Sequence, residues 1–209
     1  MVFWISAFIL YIFTKLYHRG KGYGRENFPE NGPFIAVFNH SSNMDTVALS
    51  LVINFRAYAM GKNSLFKVPI LSWWLKSVGV FPVVRDSSDK EAFNYAIGLL
   101  RSGKKLFMAP EGTRKKINGK KRRPRTGFVR MAQIIGCPVV PVAIYGTDRV
   151  LPPNAWFPKP TKIVVKVGKP IYLEKIEINE DAKQLLQEQA DRVLAIVYQL
   201  VEELEQLYQ

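Results

Sequence analysis

An imidazole and a carboxylate stand five positions apart in Asn39-His40-Ser41-Ser42-Asn43-Met44-Asp45, directly after the apolar run Phe34 to Phe38. That layout suits a general-base pair. An imidazole with an unperturbed pKa near ~6.5 can be neutral in a cell, take a proton from a hydroxyl and return it to a leaving group. Asp45 would orient the His40 ring and support its cationic form. The same residues also suit a plain strand-to-helix loop in which Asn39 and Asp45 only cap and turn. A covalent mechanism has less to stand on, because there is no G-x-S-x-G elbow and Cys137 precedes Pro138 in apolar surroundings.

Further along, polar groups suited to an anion follow predicted strands. In Glu111-Gly112-Thr113-Arg114, Arg114 offers a planar fork for phosphate, Thr113 a hydroxyl and Gly112 an unobstructed backbone approach. Glu111 cannot bind phosphate directly and is expected to hold Arg114 or to contact a substrate hydroxyl. Lys62, in Met60-Gly61-Lys62-Asn63, brings a point charge that can reach an oxyanion or a phosphate. Arg85 closes the run Val80 to Val84. Plainer readings stand beside these: a turn stapled by a Glu-Arg ion pair, a solvated arginine at a strand end, and a surface lysine.

These groups need a scaffold, and hydrophobic patterning supplies one. Strands are predicted over Phe34 to Phe38, Arg56 to Met60, Val80 to Val84, Leu106 to Ala109, Val139 to Tyr145 and Ile163 to Val167. Helices are predicted over Thr46 to Ile53, Leu71 to Val78, Asp89 to Arg101, Phe128 to Ile135 and Glu180 to Leu207, the last with Leu186, Ala190, Val193, Val197, Val201 and Leu204 near one face. Alternation of short strands with helices predicts a single α/β domain, its mostly parallel or mixed central sheet flanked by helices. Four prolines between Leu151 and Pro160 demand an irregular connection there. If the strands are parallel, His40 and the Glu111 block emerge on the carboxyl edge, where such sheets bind ligands.

The chain has 209 residues, 48% of them hydrophobic, enough for one domain with a substantial core. We expect that domain over residues 26–209, preceded by a membrane-associated segment over 1–25. Met1 to Phe13 is apolar except for Ser6, and Lys15, His18, Arg19, Lys21 and Arg25 follow. The run falls short of the ~20 residues of a spanning helix, which favours an interfacial helix with basic residues at the headgroups; a short anchor or a helix packed on the domain are the alternatives. No basic region precedes it and no small-residue cleavage site follows, so a cleaved signal is not expected. Trp73 and Trp74 lie in another apolar stretch, and we expect one to pack inward and the other to meet an interface.

One cysteine excludes an internal disulfide, and with two histidines it cannot make the usual zinc site, so neither metal nor cofactor is expected. The net charge of +13 is concentrated: residues 101–130 hold twelve Lys or Arg against one Glu. Such a patch seeks an anionic partner. No zinc-finger, RNP-type or helix-turn-helix signature supports nucleic acid. The exposed-looking cluster Lys115-Lys116 and Lys120 to Arg123 is expected to face an anionic partner such as acidic lipid.

Four blocks occur in order: the His40-Asp45 segment, Val80 to Arg85, Ala109 to Arg114 and Val140 to Gly146. Together they resemble the glycerolipid acyltransferases, and within them the bacterial 1-acyl-glycerol-3-phosphate acyltransferases, over about Gly32 to Pro170. The resemblance implies transfer of a fatty acyl group from acyl-CoA or acyl carrier protein to the free hydroxyl of lysophosphatidic acid, on the cytoplasmic face of the cell membrane. It assigns His40 and Asp45 to catalysis, and the Glu111 to Arg114 block and Arg85 to the acceptor phosphate. Another lysolipid acceptor, such as a lysophospholipid or lyso-ornithine lipid, fits the same family. A noncatalytic basic protein binding membrane or nucleic acid is the alternative from a different class. Ala109 stands where many members carry a bulkier residue, a departure that bears on acyl-chain or acceptor preference.

Overall fold

Seven short strands assemble into one sheet: β1 (Lys21–Tyr23), β2 (Phe34–Phe38), β3 (Ala57–Lys62), β4 (Val80–Val83), β5 (Lys105–Met108), β6 (Val139–Tyr145) and β7 (Val164–Val167). The computed structural model describes residues 1–84, 89–112, 123–151, 157–176 and 181–208. Arg85, Thr113 and Arg114 therefore lie outside the described residues, as do Lys115, Lys116 and residues 120–122 of the basic cluster. The strand order is β1-β7-β6-β2-β5-β3-β4. All neighbours are parallel except β6 and β7, so the sheet is mixed.

The helices are α1 (Val2–Tyr17), α2 (Asp45–Ala48), α3 (Pro69–Ser77), α4 (Lys90–Arg101), α5 (Gly127–Ile135) and α6 (Ala182–Tyr208). β2 sits centrally and is buried along its whole length. Its period-two alternation splits the core: Ile35 and Val37 join residues of α4, α5 and α6 on one face. Phe34, Ala36 and Phe38 face the opposite layer, with Phe28, Leu49, Val52 and Phe107. The aromatic rings of Phe28 and Phe34 stack there with centroids 5.3 Å apart. A strand apolar on both sides is what a helix-covered parallel sheet requires.

Two expectations from the sequence need correction. The helix predicted over Thr46 to Ile53 is instead α2, starting at Asp45, followed by a 3₁₀ turn over Leu49–Leu51. Ser50 turns its hydroxyl back onto the Val47 carbonyl at 2.7 Å, the kind of local bond that competes with regular helix. β1 was not legible in the pattern, because all three of its residues are exposed and none alternates. It forms because β7 offers a free edge, with Lys21 N donating to Ile163 O at 3.0 Å. β1 also brings part of the segment 1–25 into the sheet.

α1 lies against α2, the 3₁₀ turn after it and α3, and Trp74 Nε1 donates to Ser6 Oγ at 3.0 Å. Its other face is bare: Trp4, Ile5, Phe8, Ile9 and Leu16 are exposed. Among the described residues no helix is long and apolar enough to cross a membrane.

The end of α1 is held by a buried histidine. His18 is fully buried, with its ring centroid 5.1 Å from that of Phe13 and 4.9 Å from that of Tyr17. Its Nδ1 lies 3.3 Å from the Thr161 carbonyl, which can only accept, so the proton sits on Nδ1 and Nε2 has no partner among the described residues. Burial, opposed in part by the Thr161 carbonyl, holds the ring below its ordinary 6.5. At pH above that value His18 is neutral whether the chain is folded or not. As pH falls below it the unfolded chain takes up the proton first, so stability is lost toward acid. Melting temperatures of wild type and His18→Phe, compared between about pH 7 and about pH 5, should show a shallower acid decline for the variant. Parallel declines would remove His18 from the acid response.

Candidate active site

β2 ends at Phe38, and the next residue secures the loop that follows. The buried Asn39 side chain donates to Ile144 O and accepts from Ile144 N, both at 2.8 Å, extending the β2–β6 pairing by a side-chain amide. The loop must then turn immediately, which brings Asp45 back beneath His40. Asp45 Oδ2 accepts from His40 Nδ1 at 2.8 Å, from Ser41 N at 2.8 Å and from Ser42 N at 2.9 Å. Asp45 Oδ1 accepts from the Thr147 hydroxyl at 2.5 Å. The Asp45 side chain is 0% exposed and that of His40 is 12% exposed.

This geometry selects the tautomer. A carboxylate only accepts, so Nδ1 carries the proton and Nε2 keeps its lone pair. Burying a carboxylate is costly, and here four donors offset that cost.

His40 lines a cavity of about 500 Å³. Its walls are mostly apolar: Phe3, Ala7 and Leu10 from α1, Leu71, Trp74 and Leu75 from α3, and Phe107 and Ala109 near the sheet edge. Lys62, Gly112 and Arg125 supply polar groups to the same lining. The cavity thus pairs a basic nitrogen and two cationic side chains with room for a hydrocarbon chain. Of the paired tryptophans, Trp73 is exposed, whereas Trp74 turns into the cavity wall.

Lys62, at the end of β3, and Gly112 both face the cavity that His40 lines. Gly112 has φ +67, and a Cβ there would approach Arg125 Nε to 3.1 Å, so glycine admits both the turn and the neighbouring guanidinium. Glu111 is buried and accepts a hydrogen bond from Tyr198 of α6. Burial and that carboxylate push the Tyr198 hydroxyl upward, so it stays protonated and donates. Arg123, from the cluster expected to face an anionic partner, is paired with Asp191 of α6 at 2.7 Å.

Three residues escaped the sequence reading. Arg125 directly precedes the Thr126 N-cap of α5 and carries no signal that sets it apart from its basic neighbours. Thr147 follows the Val140 to Gly146 block and carried no signal of its own. Tyr198 sat inside a helical pattern. Cys137, by contrast, behaves as expected of a buried thiol: burial pushes it up to about 11, far from a nucleophile's range.

Comparison with known proteins agrees with this arrangement. The acyltransferase family model matches residues 20–145. A chloroplastic 1-acyl-sn-glycerol-3-phosphate acyltransferase of Brassica napus is 30% identical over 159 residues, covering 74% of this chain and 46% of its own length. The corresponding enzyme of Saccharomyces cerevisiae is 27% identical over 204 residues, covering 93% of this chain and 67% of its own. This chain spans about half the length of its chloroplastic relatives, 46% and 44% of them. The crystal structure of the Thermotoga maritima 1-acyl-sn-glycerophosphate acyltransferase superposes with a TM-score of 0.68 at 26% identity, covering 96% of this chain and 81% of that one. With more than half its length matched by the model and the His40-Asp45 pair at its sheet edge, the chain belongs to the acyltransferase family.

Proposed function

We propose that this protein transfers a fatty acyl group from an acyl thioester to the free hydroxyl of 1-acyl-glycerol-3-phosphate, releasing phosphatidic acid and the free thiol. The observation that carries the reading is the His40 imidazole, held by a buried Asp45 and lining an apolar cavity. A protein that bound membrane or nucleic acid by charge alone would require neither feature.

His40 Nε2 takes the proton of the acceptor hydroxyl as its oxygen attacks the thioester carbonyl carbon. Asp45 stabilises the imidazolium that forms. Lys62 offers a positive charge to the carbonyl oxygen or to the acceptor phosphate. When the tetrahedral intermediate collapses, the C–S bond breaks and His40 returns the proton to the departing thiolate. The acyl chain occupies the apolar part of the cavity, which excludes water from the thioester.

For the acceptor phosphate the reading uses Arg85, Thr113 and Arg114, on the strength of the family resemblance, together with the Gly112 backbone. Arg125 adds a guanidinium at the same lining. Glu111 serves as the anchor that ties this block to α6 through Tyr198. The acyl donor is a thioester of coenzyme A or of acyl carrier protein.

Membrane attachment is part of the same proposal. Trp4, Ile5, Phe8 and Ile9 of α1 are exposed together with Ile70 and Trp73 of α3, two helices in mutual contact. Their apolar faces suit a helix pair lying in the cytoplasmic leaflet, with acceptor lipid passing from bilayer to cavity. Removing α1 outright would also remove a wall of the cavity, so point changes are the cleaner test. Phe8→Asp with Trp73→Asp should move protein from sedimented anionic vesicles into solution while leaving the melting temperature nearly unchanged. Full sedimentation of that double variant in high salt would place the membrane contact elsewhere.

Purified protein should be assayed with lysophosphatidic acid against other lysolipids, using both donor types. Lysophosphatidic acid should be preferred, and His40→Ala should lower turnover by ~10²–10⁴; near-normal turnover in that variant would sink the mechanism. Arg114→Ala should raise the acceptor concentration required by about tenfold to a hundredfold, as expected for a charge-assisted bond worth roughly 1.5–3 kcal/mol. Arg114→Lys should recover only part of this. Equal use of a phosphate-free lysolipid would show that the acceptor phosphate is not recognised.

A further inference from the structure

A general base works only if its partner carboxylate cannot swing away, and in this chain Asp45 is gripped at both oxygens. Oδ2 is occupied by His40 Nδ1 and by the backbone N–H groups of Ser41 and Ser42, all from the loop that carries the base. Oδ1 is held from a different part of the chain, by Thr147 Oγ1 at 2.5 Å across 102 residues of sequence. Thr147 itself is fully buried.

The chain is shaped to bring that hydroxyl there. β6 lies beside β2, so its end is already next to the His40 loop. Gly146 then adopts φ +85, and a Cβ at that position would collide with the Lys162 carbonyl oxygen, so only glycine lets the chain turn off the sheet so abruptly. The turn opens a short 3₁₀ segment over Thr147–Arg149, whose Thr147 carbonyl accepts from Val150 N at 3.3 Å. Two residues before Gly146, the Ile144 N–H and carbonyl are both bonded by the Asn39 side chain. Two separate polar links therefore tie the end of β6 to the loop of the base, and one of them ends on Asp45 itself.

We propose that Thr147 is a positioning residue for the proton-transfer pair, fixing the plane of the Asp45 carboxylate so that Oδ2 stays directed at His40 Nδ1. Without its hydroxyl, Oδ1 becomes an unsatisfied buried oxygen, and rotation of the carboxylate toward another donor is the relief open to it. The His40 ring then loses its fixed tautomer and aim. The proposal rests on the reading of His40 as the base for acyl transfer. Its distinctive feature is that the hydroxyl of Thr147 matters and its methyl group does not.

The test compares Thr147→Val, which keeps the shape and removes the donor, with Thr147→Ser, which keeps the donor. Turnover is measured with a saturating thioester and varied lysophosphatidic acid. The imidazole nitrogens are followed in parallel by nitrogen NMR, which the chain's two histidines make readily assignable through the His40→Ala variant. Thr147→Val should lower kcat by ~10- to 100-fold, the scale of a misplaced reacting group, with the KM for acceptor changed by less than about twofold. Its His40 signals should show mixed tautomers, whereas Thr147→Ser should retain the Nδ1–H form and most of the turnover. Should the Thr147→Val chain not fold, Thr147→Ala set against Thr147→Ser carries the same comparison. Wild-type kcat and His40 signals in Thr147→Val would overturn the proposal. So would a Thr147→Ser variant impaired as deeply as Thr147→Val, or losses of kcat matched by a rise in KM and a drop in melting temperature. If wild type acylates no lysolipid while the His40 signals still separate the two variants as expected, the acyl-transfer reading fails and the positioning role of Thr147 stands.

Discussion

A fully buried carboxylate must have its oxygens satisfied by hydrogen-bond donors, and Asp45 imposes that demand on the rest of the site. Its oxygens accept from an imidazole, two backbone N–H groups and a threonine hydroxyl. Each donor comes with a structural requirement. The N–H groups of Ser41 and Ser42 require the tight loop after β2, and the hydroxyl requires the turn at the end of β6. The loop in turn depends on Asn39, which replaces a backbone rung between β2 and β6 by a side-chain amide. The central parallel pair and the His40–Asp45 geometry are therefore one construction: a shift of β6 against β2 would break the Asn39 links and move Thr147 off Asp45 together.

The N-terminal helix serves two surfaces at once. Phe3, Ala7 and Leu10 close the apolar cavity, and Ser6 receives the indole N–H of Trp74. Trp4, Phe8 and Ile9 look outward. Helical spacing makes this division unavoidable, since residues three or four apart share a face while their neighbours point away. Under the proposed membrane attachment, α1 would stand between a lipid surface and the apolar cavity.

The far end of the chain also reaches the site. Tyr198, deep in α6, donates to Glu111, and Arg123 pairs with Asp191 on the same helix. These contacts anchor both flanks of the basic segment to the acidic C-terminal helix. Arg123 is thus paired within the chain, and Glu111 is tied to α6 through Tyr198.

Strand and helix patterning made most of the sheet readable in advance, because β2 and β6 are uniformly apolar and the long helix repeats its apolar residues every three or four positions. β1 was not readable, since three exposed residues bury nothing and pair only because β7 leaves an edge open. The short helix after His40 was overestimated, as a serine hydroxyl redirected the backbone locally. Within the site, His40 and Asp45 were legible because their bond is local, five residues apart on one loop. Lys62 was legible as a charged residue at a strand end, and Gly112 as a glycine that opens the backbone after β5; both line the cavity. Thr147, Tyr198 and Arg125 were not, because an ordinary threonine, tyrosine or arginine acquires its role only from what lies beside it in space. Amino-acid order carries periodicity and local spacing, and these specified the elements, the sheet and the base with its partner. Contacts spanning 102 residues for Thr147 and 87 for Tyr198 depend on how strands are ordered and where turns aim their side chains, and only the folded chain decides that.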